Sequence, residues 1–223
     1  MVENRDFVHL TEALVDKSLT KQDLLNKVKE DFTLVPFLIK GVSSSKAAIR
    51  YGCSKVLMDF SEEYPEQLYS YMDSIISLLD SKFRILKWNA FAIIANLTKV
   101  DIDNKFDAIF KKYFSFLDDD HMVTVANVVG NSSIIAEAKP NLIARITNEL
   151  LKVQDLSTGP HLTEECKRVI VQGTIKTFDS FFDRIEEKDK VLSFVRLYID
   201  SPRKKLRNMA QTFLEKWDRS IHV

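Results

Sequence analysis

Glycine and proline are scarce in this chain, with five of each in 223 residues. An all-β fold needs a turn every 8 to 12 residues or so, and turns draw on those two residues, so the shortage excludes that class. Cysteine is scarcer still. Cys53 and Cys166 both fall in helical patterns and read as small buried apolar residues, which leaves no disulfide framework. Net charge is missing too: Lys+Arg and Asp+Glu both number 32. A dedicated nucleic-acid binder carries a basic bias, so this balance counts against one. No apolar run approaches the roughly 20 residues that span a bilayer. The opening segment MVENRDFVHL lacks a basic region followed by an apolar one. The expectation is a cytoplasmic protein without a membrane partner.

What the chain does hold is core material, 45% hydrophobic residues and 15 Phe, with an ordinary 29% of charged residues. It is arranged with helical periodicity that repeats. In 65–79, Leu68, Met72, Ile75, Ile76 and Leu79 share one helical face. Phe106, Phe110, Tyr113, Phe114 and Leu117 reproduce that face 38 residues on. Ile143, Thr147, Leu150, Leu151 and Gln154 repeat it more weakly, then Val191, Val195, Tyr198 and Ile199. A second register interleaves with the first. Ile49, Cys53, Val56, Leu57 and Phe60 are followed by Leu86, Ala90, Ile93, Ile94 and Leu97. Met122, Ala126, Val129, Gly130 and Ser133 come next, then Cys166, Val169, Ile170 and Gly173, then Leu206, Met209, Ala210 and Phe213. The chain therefore reads as helical hairpins, each a first and a second helix.

Punctuation supports this. Asp80-Ser81, Asp118 to Asp120 and Asp200-Ser201 stand where they can cap the next helix, and Pro65, Pro140 and Pro202 stand where a first helical turn tolerates proline. The segment QDLSTGPHL (154–162) is the longest loop-like insertion. The expected organisation is a single domain over 1–223. It has irregular N-terminal helices at 5–42, repeats at about 45–80, 82–118, 121–155 and 162–200, and a terminal helix at 202–219.

Two helices per unit and a period of about 37 to 40 residues resemble HEAT and armadillo repeats over residues 20 to 219. The motif fits best in IRYGCSKVLMDFSEEYPEQLYSYMDSIISLLD, where Arg50 holds the early basic position of the first helix; Lys87 holds it in the next copy and the third copy loses it. The resemblance implies an all-α superhelix. It implies a job among scaffolds, adaptors and a few enzymes, with the second helices lining a concave working surface.

The register assigns that surface. Ser70, Ala108, Arg145 and Ser193 form one column; Asp73, Lys111, Asn148 and Arg196 the next; Ser74, Lys112, Glu149 and Leu197 a third. These positions are polar, small or basic, and they suit an acidic or phosphate-bearing protein segment; a plain solvated helix face would look the same. The segment SPRKKLR sets Arg203, Lys204, Lys205 and Arg207 against the positive end of the last helix's dipole. That placement points to an anionic partner there, unless solvent screening makes it trivial.

The expected function is a non-enzymatic adaptor or scaffold that grips a protein partner, with no cofactor and no metal. A helper that presents a substrate protein to an enzyme differs from it only in the partner. The alternative is a nucleic-acid-binding protein, or one like the HEAT-like DNA glycosylases, which use aromatic, Asp and Arg side chains. Against it, Trp88 and Trp217 lie far apart on first helices and no such set matches the columns. Asp118-Asp119-Asp120-His121 looks like metal ligands, but a cap is expected there and a second ligand cluster is not identifiable. His161, Glu164 and Cys166 fare the same, since the apolar register claims Cys166; His9 and His222 stand alone. The isolated glycines form neither a phosphate loop nor a G-x-S-x-G elbow. Adjacent acids such as Glu62-Glu63, Glu164-Glu165 and Glu186-Glu187 do not face each other on a helix. In the third repeat, Gly130, Ser132 and Ser133 replace bulky residues, which fits closer helix packing, or a hinge.

Overall fold

A computed structural model describes residue 10, residues 12–16 and residues 18–218. His9, His222 and the outer ends of the expected first and last helices lie outside the described residues. The described residues form helices α1 (Lys21–Glu30), α2 (Val35–Gly41), α3 (Ala47–Glu63), α4 (Pro65–Tyr69), α5 (Met72–Ser77), α6 (Arg84–Leu97), α7 (Lys105–Ser115), α8 (Met122–Ala138), α9 (Ile143–Leu151), α10 (Glu164–Phe181), α11 (Lys188–Arg196) and α12 (Lys204–Trp217). Short 3-10 turns end most of the second arms. Among the described residues no strand forms; Gly159 and Leu162 make an isolated bridge. The fold is all-α. Its contacts gather in two compact units that divide after Phe106.

In the first unit, α1 and α2 pack on α3, and α3 lies along α6. Thr20 opens α1 with a capping box: its hydroxyl accepts from the Asp23 N–H, and the Asp23 carboxylate accepts from the Thr20 N–H. Gly41 is required where α2 meets α3, because a Cβ there would stand 2.4 Å from the Cys53 Sγ. Both expected registers on α3 and α6 are buried, from Ile49 to Phe60 and from Leu86 to Leu97. Two polar rungs join these helices: Asn89 donates to the Ser54 hydroxyl at 2.7 Å, and Asn96 to the Ser61 hydroxyl at 2.9 Å. The rungs are spaced seven residues apart on each helix, two turns on one face, so they fix the sliding register of one helix on the other. The second arm of this hairpin is not one helix over 65–79. Tyr71, at φ −99° and ψ 6°, separates α4 from α5, yet Leu68, Met72, Ile75 and Leu79 still point inward.

In the second unit, α10 lies between α8 and α12, and α11 packs on α12. The Thr177 hydroxyl of α10 donates to the Val129 carbonyl of α8 at 3.1 Å. Phe178 meets Phe194 edge-on at 5.8 Å, and Phe182 meets Phe213 at 5.0 Å. Buried Lys139 reaches back to Asp107 at 2.8 Å, fastening the end of α8 to α7.

Several expectations need correction. On α8 only Val129 of the five expected core positions is buried; the inward face is Val125, Val128, Val129, Ser132, Ile135 and Ala136. That helix is apolar or small nearly all round, so periodicity has no polar stripe to select a face against. On α10 the face begins at Ile170 and runs through Ile175 and Phe178 to Phe181, while Cys166 and Val169 are half-buried. Gly130 does not serve close packing. It is exposed, and an added Cβ would meet nothing within 4 Å. Gly130→Ala is therefore expected to stabilise the chain by about 0.5–1 kcal/mol, read as a higher urea midpoint, since it only reduces unfolded-chain entropy.

The hairpin-end residues close turns rather than cap helices. The Ser44, Ser81, Asp119 and Ser201 side chains each accept the N–H two residues on, and α3, α6, α8 and α12 begin one residue later. Pro202 thus stands before α12, not in its first turn. Arg50 and Arg207 seal the same junctions, donating to the carbonyls of Ser44 and Ser201, both at 2.8 Å.

The cysteines differ. Burial pushes the Cys53 thiol up to about 12, whereas Cys166 sits half-buried in the first turn of α10, where its N–H meets the Thr163 hydroxyl. A thiolate is the reactive form. A disulfide reagent at pH 8 is expected to titrate one thiol in the native chain and the second only after denaturation.

Candidate functional site

The second unit carries most of the assigned surface. On α7, burial of Phe106, Phe110, Tyr113, Phe114 and Leu117 turns Ala108 and Lys111 outward, with Lys112 half-buried beside them. On α9, Ile143, Ile146, Thr147 and Leu150 point inward, so Arg145 and Asn148 are exposed. The Arg145 guanidinium lies 3.9 Å above the Phe110 ring, which brings its charge to the α7 residue next to Lys111.

The acids of this face are already engaged. Asp107 is held by Lys139, and Glu149 by Lys152 at 2.6 Å. Lys111 and Arg145 form no ion pair with a described carboxylate, so positive charge dominates where α7 and α9 meet. No chemistry beyond ion pairing and hydrogen bonding follows from this set, which has cationic donors and an amide.

The other expected residues are not all brought to that face. Arg196 is exposed but pairs with Asp218 after α12, a carboxylate that is 5% exposed. Arg203 pairs with Glu165 and donates to Gln172 on α10, and its donors hold the Glu165 carboxyl below the usual range. Arg207 seals its turn. Of the cations in the SPRKKLR segment, Lys204 and Lys205 are exposed and form no ion pair with a described carboxylate. Lys205 borders a shallow groove of ≈ 460 Å³ between α10 and α12, together with Lys176, Asn208 and Met209. Sequence reading missed Lys176. Its one signal was the i, i+4 spacing from Gln172, which means nothing until the neighbouring helix is known.

At the far end of that groove Trp217 donates to Asp179 at 2.6 Å, as does Lys216 at 2.8 Å. Burial opposes ionisation of Asp179, but these two donors outweigh it and hold the carboxyl below its usual range. An indole and a carboxylate thus meet although distant in sequence. The carboxylate is committed to its donors.

The Asp118–His121 run lies in the turn between α7 and α8, as a turn-closing element. The Asp119 carboxylate accepts the His121 N–H at 2.8 Å, and the His121 Nδ1 meets Asp120. His161, from the insertion, stacks on His121 with ring centroids 4.7 Å apart. Among the described residues, His161, Glu164 and Cys166 form no joint ligand group.

No protein-family model matches the chain, and no curated protein matches it. Solved structures do. A computationally designed armadillo repeat protein for modular peptide recognition is 19% identical with a TM-score of 0.63, each chain covered to 92%. A designed armadillo repeat protein in complex with the peptide (KR)4 is 18% identical with a TM-score of 0.61, again covering 92% of each chain. Another designed armadillo repeat protein is 20% identical at a TM-score of 0.59, covering 88% of this chain and 86% of its own. The chain has an armadillo/HEAT-like helical repeat fold. Among the described residues no helix is long and apolar enough to cross a membrane.

Proposed function

We propose that this chain is a non-catalytic binding module that grips an acidic or phosphate-bearing protein segment across α7 and α9 of its second unit. The observation that carries this reading is the pairing pattern on that face: its acids are neutralised by Lys139 and Lys152, while Lys111 and Arg145 keep their charge for a partner. Armadillo folds serve as peptide-binding scaffolds in the designed neighbours, one of them with a peptide of alternating Lys and Arg. Here the exposed charge has the opposite sign to what such a peptide needs, so the ligand is anionic. Asn148, exposed beside Arg145 on α9, supplies a donor and an acceptor for a peptide backbone.

Titration of fluorescent peptides tests this. A Glu-rich peptide and a phosphoserine peptide are expected to bind saturably at low salt and to weaken as salt rises, because exposed ion pairs are screened. A Lys-rich peptide of equal length is expected not to bind. Equal binding of all three, or of none, overturns the proposal. Binding of a DNA duplex with a steep salt slope, in preference to either acidic peptide, would favour a nucleic-acid ligand instead.

A further inference from the structure

We infer that the anion gripped across α7 and α9 is a phosphate monoester on the partner segment, so that the chain reads phosphorylation; this rests on the binding face proposed above. Arg145 carries the inference. Its guanidinium lies 3.9 Å above the ring of Phe110, a residue only 2% exposed. The ring holds the planar fork against α7 and limits its freedom before any ligand arrives. Packing alone does not explain the fork, because an aliphatic side chain would cover Phe110 equally well. Among the described residues nothing accepts a hydrogen bond from it, so its donors are left for a ligand.

The charges around this fork suit a dianion. Lys111, the residue after Phe110 on α7, is exposed as well. The nearby acids serve neither cation: Asp107 is held by Lys139 at 2.8 Å and Glu149 by Lys152 at 2.6 Å. Neither α9 nor the 3-10 turn before it (Pro140–Leu142) has an acid in its first turn, so the positive end of the helix dipole adds to the same field. A single carboxylate offers one charge and two oxygens, enough for the guanidinium alone. A phosphate monoester carries a charge of about −1.5 to −2 and three acceptor oxygens. Two of these accept the parallel N–H donors of Arg145, and the third accepts from the Lys111 ammonium. A phosphodiester, as in nucleic acid or a phospholipid, has one charge and leaves one cation unmet. Asn148, exposed one turn after Arg145, bonds the backbone beside the phosphorylated residue.

The test is an amide NMR titration of the full chain, at low salt, with four peptides of one neutral Gly-Ala frame. They carry phosphoserine, its methyl diester, two adjacent glutamates (which match the monoester's charge) or plain serine. The phosphoserine peptide is expected to bind roughly tenfold more tightly than the glutamate or diester peptide, since one more hydrogen bond between charged groups supplies about that factor. The serine peptide is expected not to bind, and the shifts are expected to centre on residues 108–112 and 144–149. Arg145→Lys keeps the charge and removes the fork. It is expected to abolish the phosphoserine preference while leaving affinity for the glutamate peptide within about twofold. Affinity for the glutamate or diester peptide that equals or exceeds that for phosphoserine overturns the inference and leaves the binding face standing. So does an unchanged preference in Arg145→Lys. If no anionic peptide binds, or the shifts centre elsewhere, the face and the inference fall together.

Discussion

Replacing Lys111 and Arg145 together with glutamate is expected to weaken capture of an acidic peptide by roughly a hundredfold, with the helical circular dichroism unchanged. Each reversal exchanges an attraction for a repulsion at a partner's carboxylate or phosphate. At about 1.4 kcal/mol apiece the two multiply to that factor. Both side chains are exposed, and surface substitutions of this kind usually move stability by less than about 0.5 kcal/mol. Arg145 also loses its contact with the Phe110 ring, worth about 0.5–1 kcal/mol. Glutamine at both positions is expected to fall between wild type and the reversal. Arg196→Glu serves as the contrast: its guanidinium already pairs with Asp218, so reversal is expected to cost stability near the C-terminus more than peptide affinity. Equal binding by wild type and double variant, measured by fluorescence polarisation, would remove the α7–α9 face from the proposed function.

Phe178→Ala is expected to lower the unfolding free energy of the second unit by about 3–5 kcal/mol, the range for emptying a buried aromatic site. Phe178 is fully buried and touches Phe181 on its own helix and Phe194 on α11 edge-on, at 6.3 and 5.8 Å. Its removal opens a cavity where the first and second arms of one hairpin join, and the helices on either side cannot both close on it. Urea denaturation followed by circular dichroism gives the size of the effect. Ile102→Ala is the control, since that side chain is 82% exposed and its loss is expected to leave the midpoint in place. A Phe178→Ala chain as stable as wild type would mean that the hairpin core is carried elsewhere.

Some helices were fully legible. The faces of α3, α6 and α7 have large apolar side chains set against charged ones, and every residue assigned to them is buried. Two outward columns followed directly: Ser70, Ala108, Arg145 and Ser193 are all exposed, as are Asp73, Lys111, Asn148 and Arg196, while in the third Ser74 and Leu197 are exposed and Lys112 and Glu149 half-buried. The faces of α8 and α10 were misread for related reasons. Residues 122–136 lack charge altogether, and the start of α10 carries a half-buried Cys166 and Val169 in place of true core residues. A hydrophobic period locates a face only where a polar stripe opposes it.

Exposure was legible at the candidate site except at Lys112 and Arg203, which are half-buried, and availability was not. Arg196 and Arg203 read as free cations in the sequence, yet their partners are 22 and 38 residues away, at Asp218 and Glu165. Asp179 met Trp217 in the same way, and His161 met His121.

The sequence by itself determined the all-α class, the hairpin period and the side of each regular helix that faces water, because these depend on local spacing and on the burial of apolar side chains. Only the tertiary structure decided which cations are already paired, whether a glycine lies in contact or in the open, and which side chains of distant segments meet. Those outcomes depend on distances between segments distant in the chain, and a linear pattern does not encode such distances.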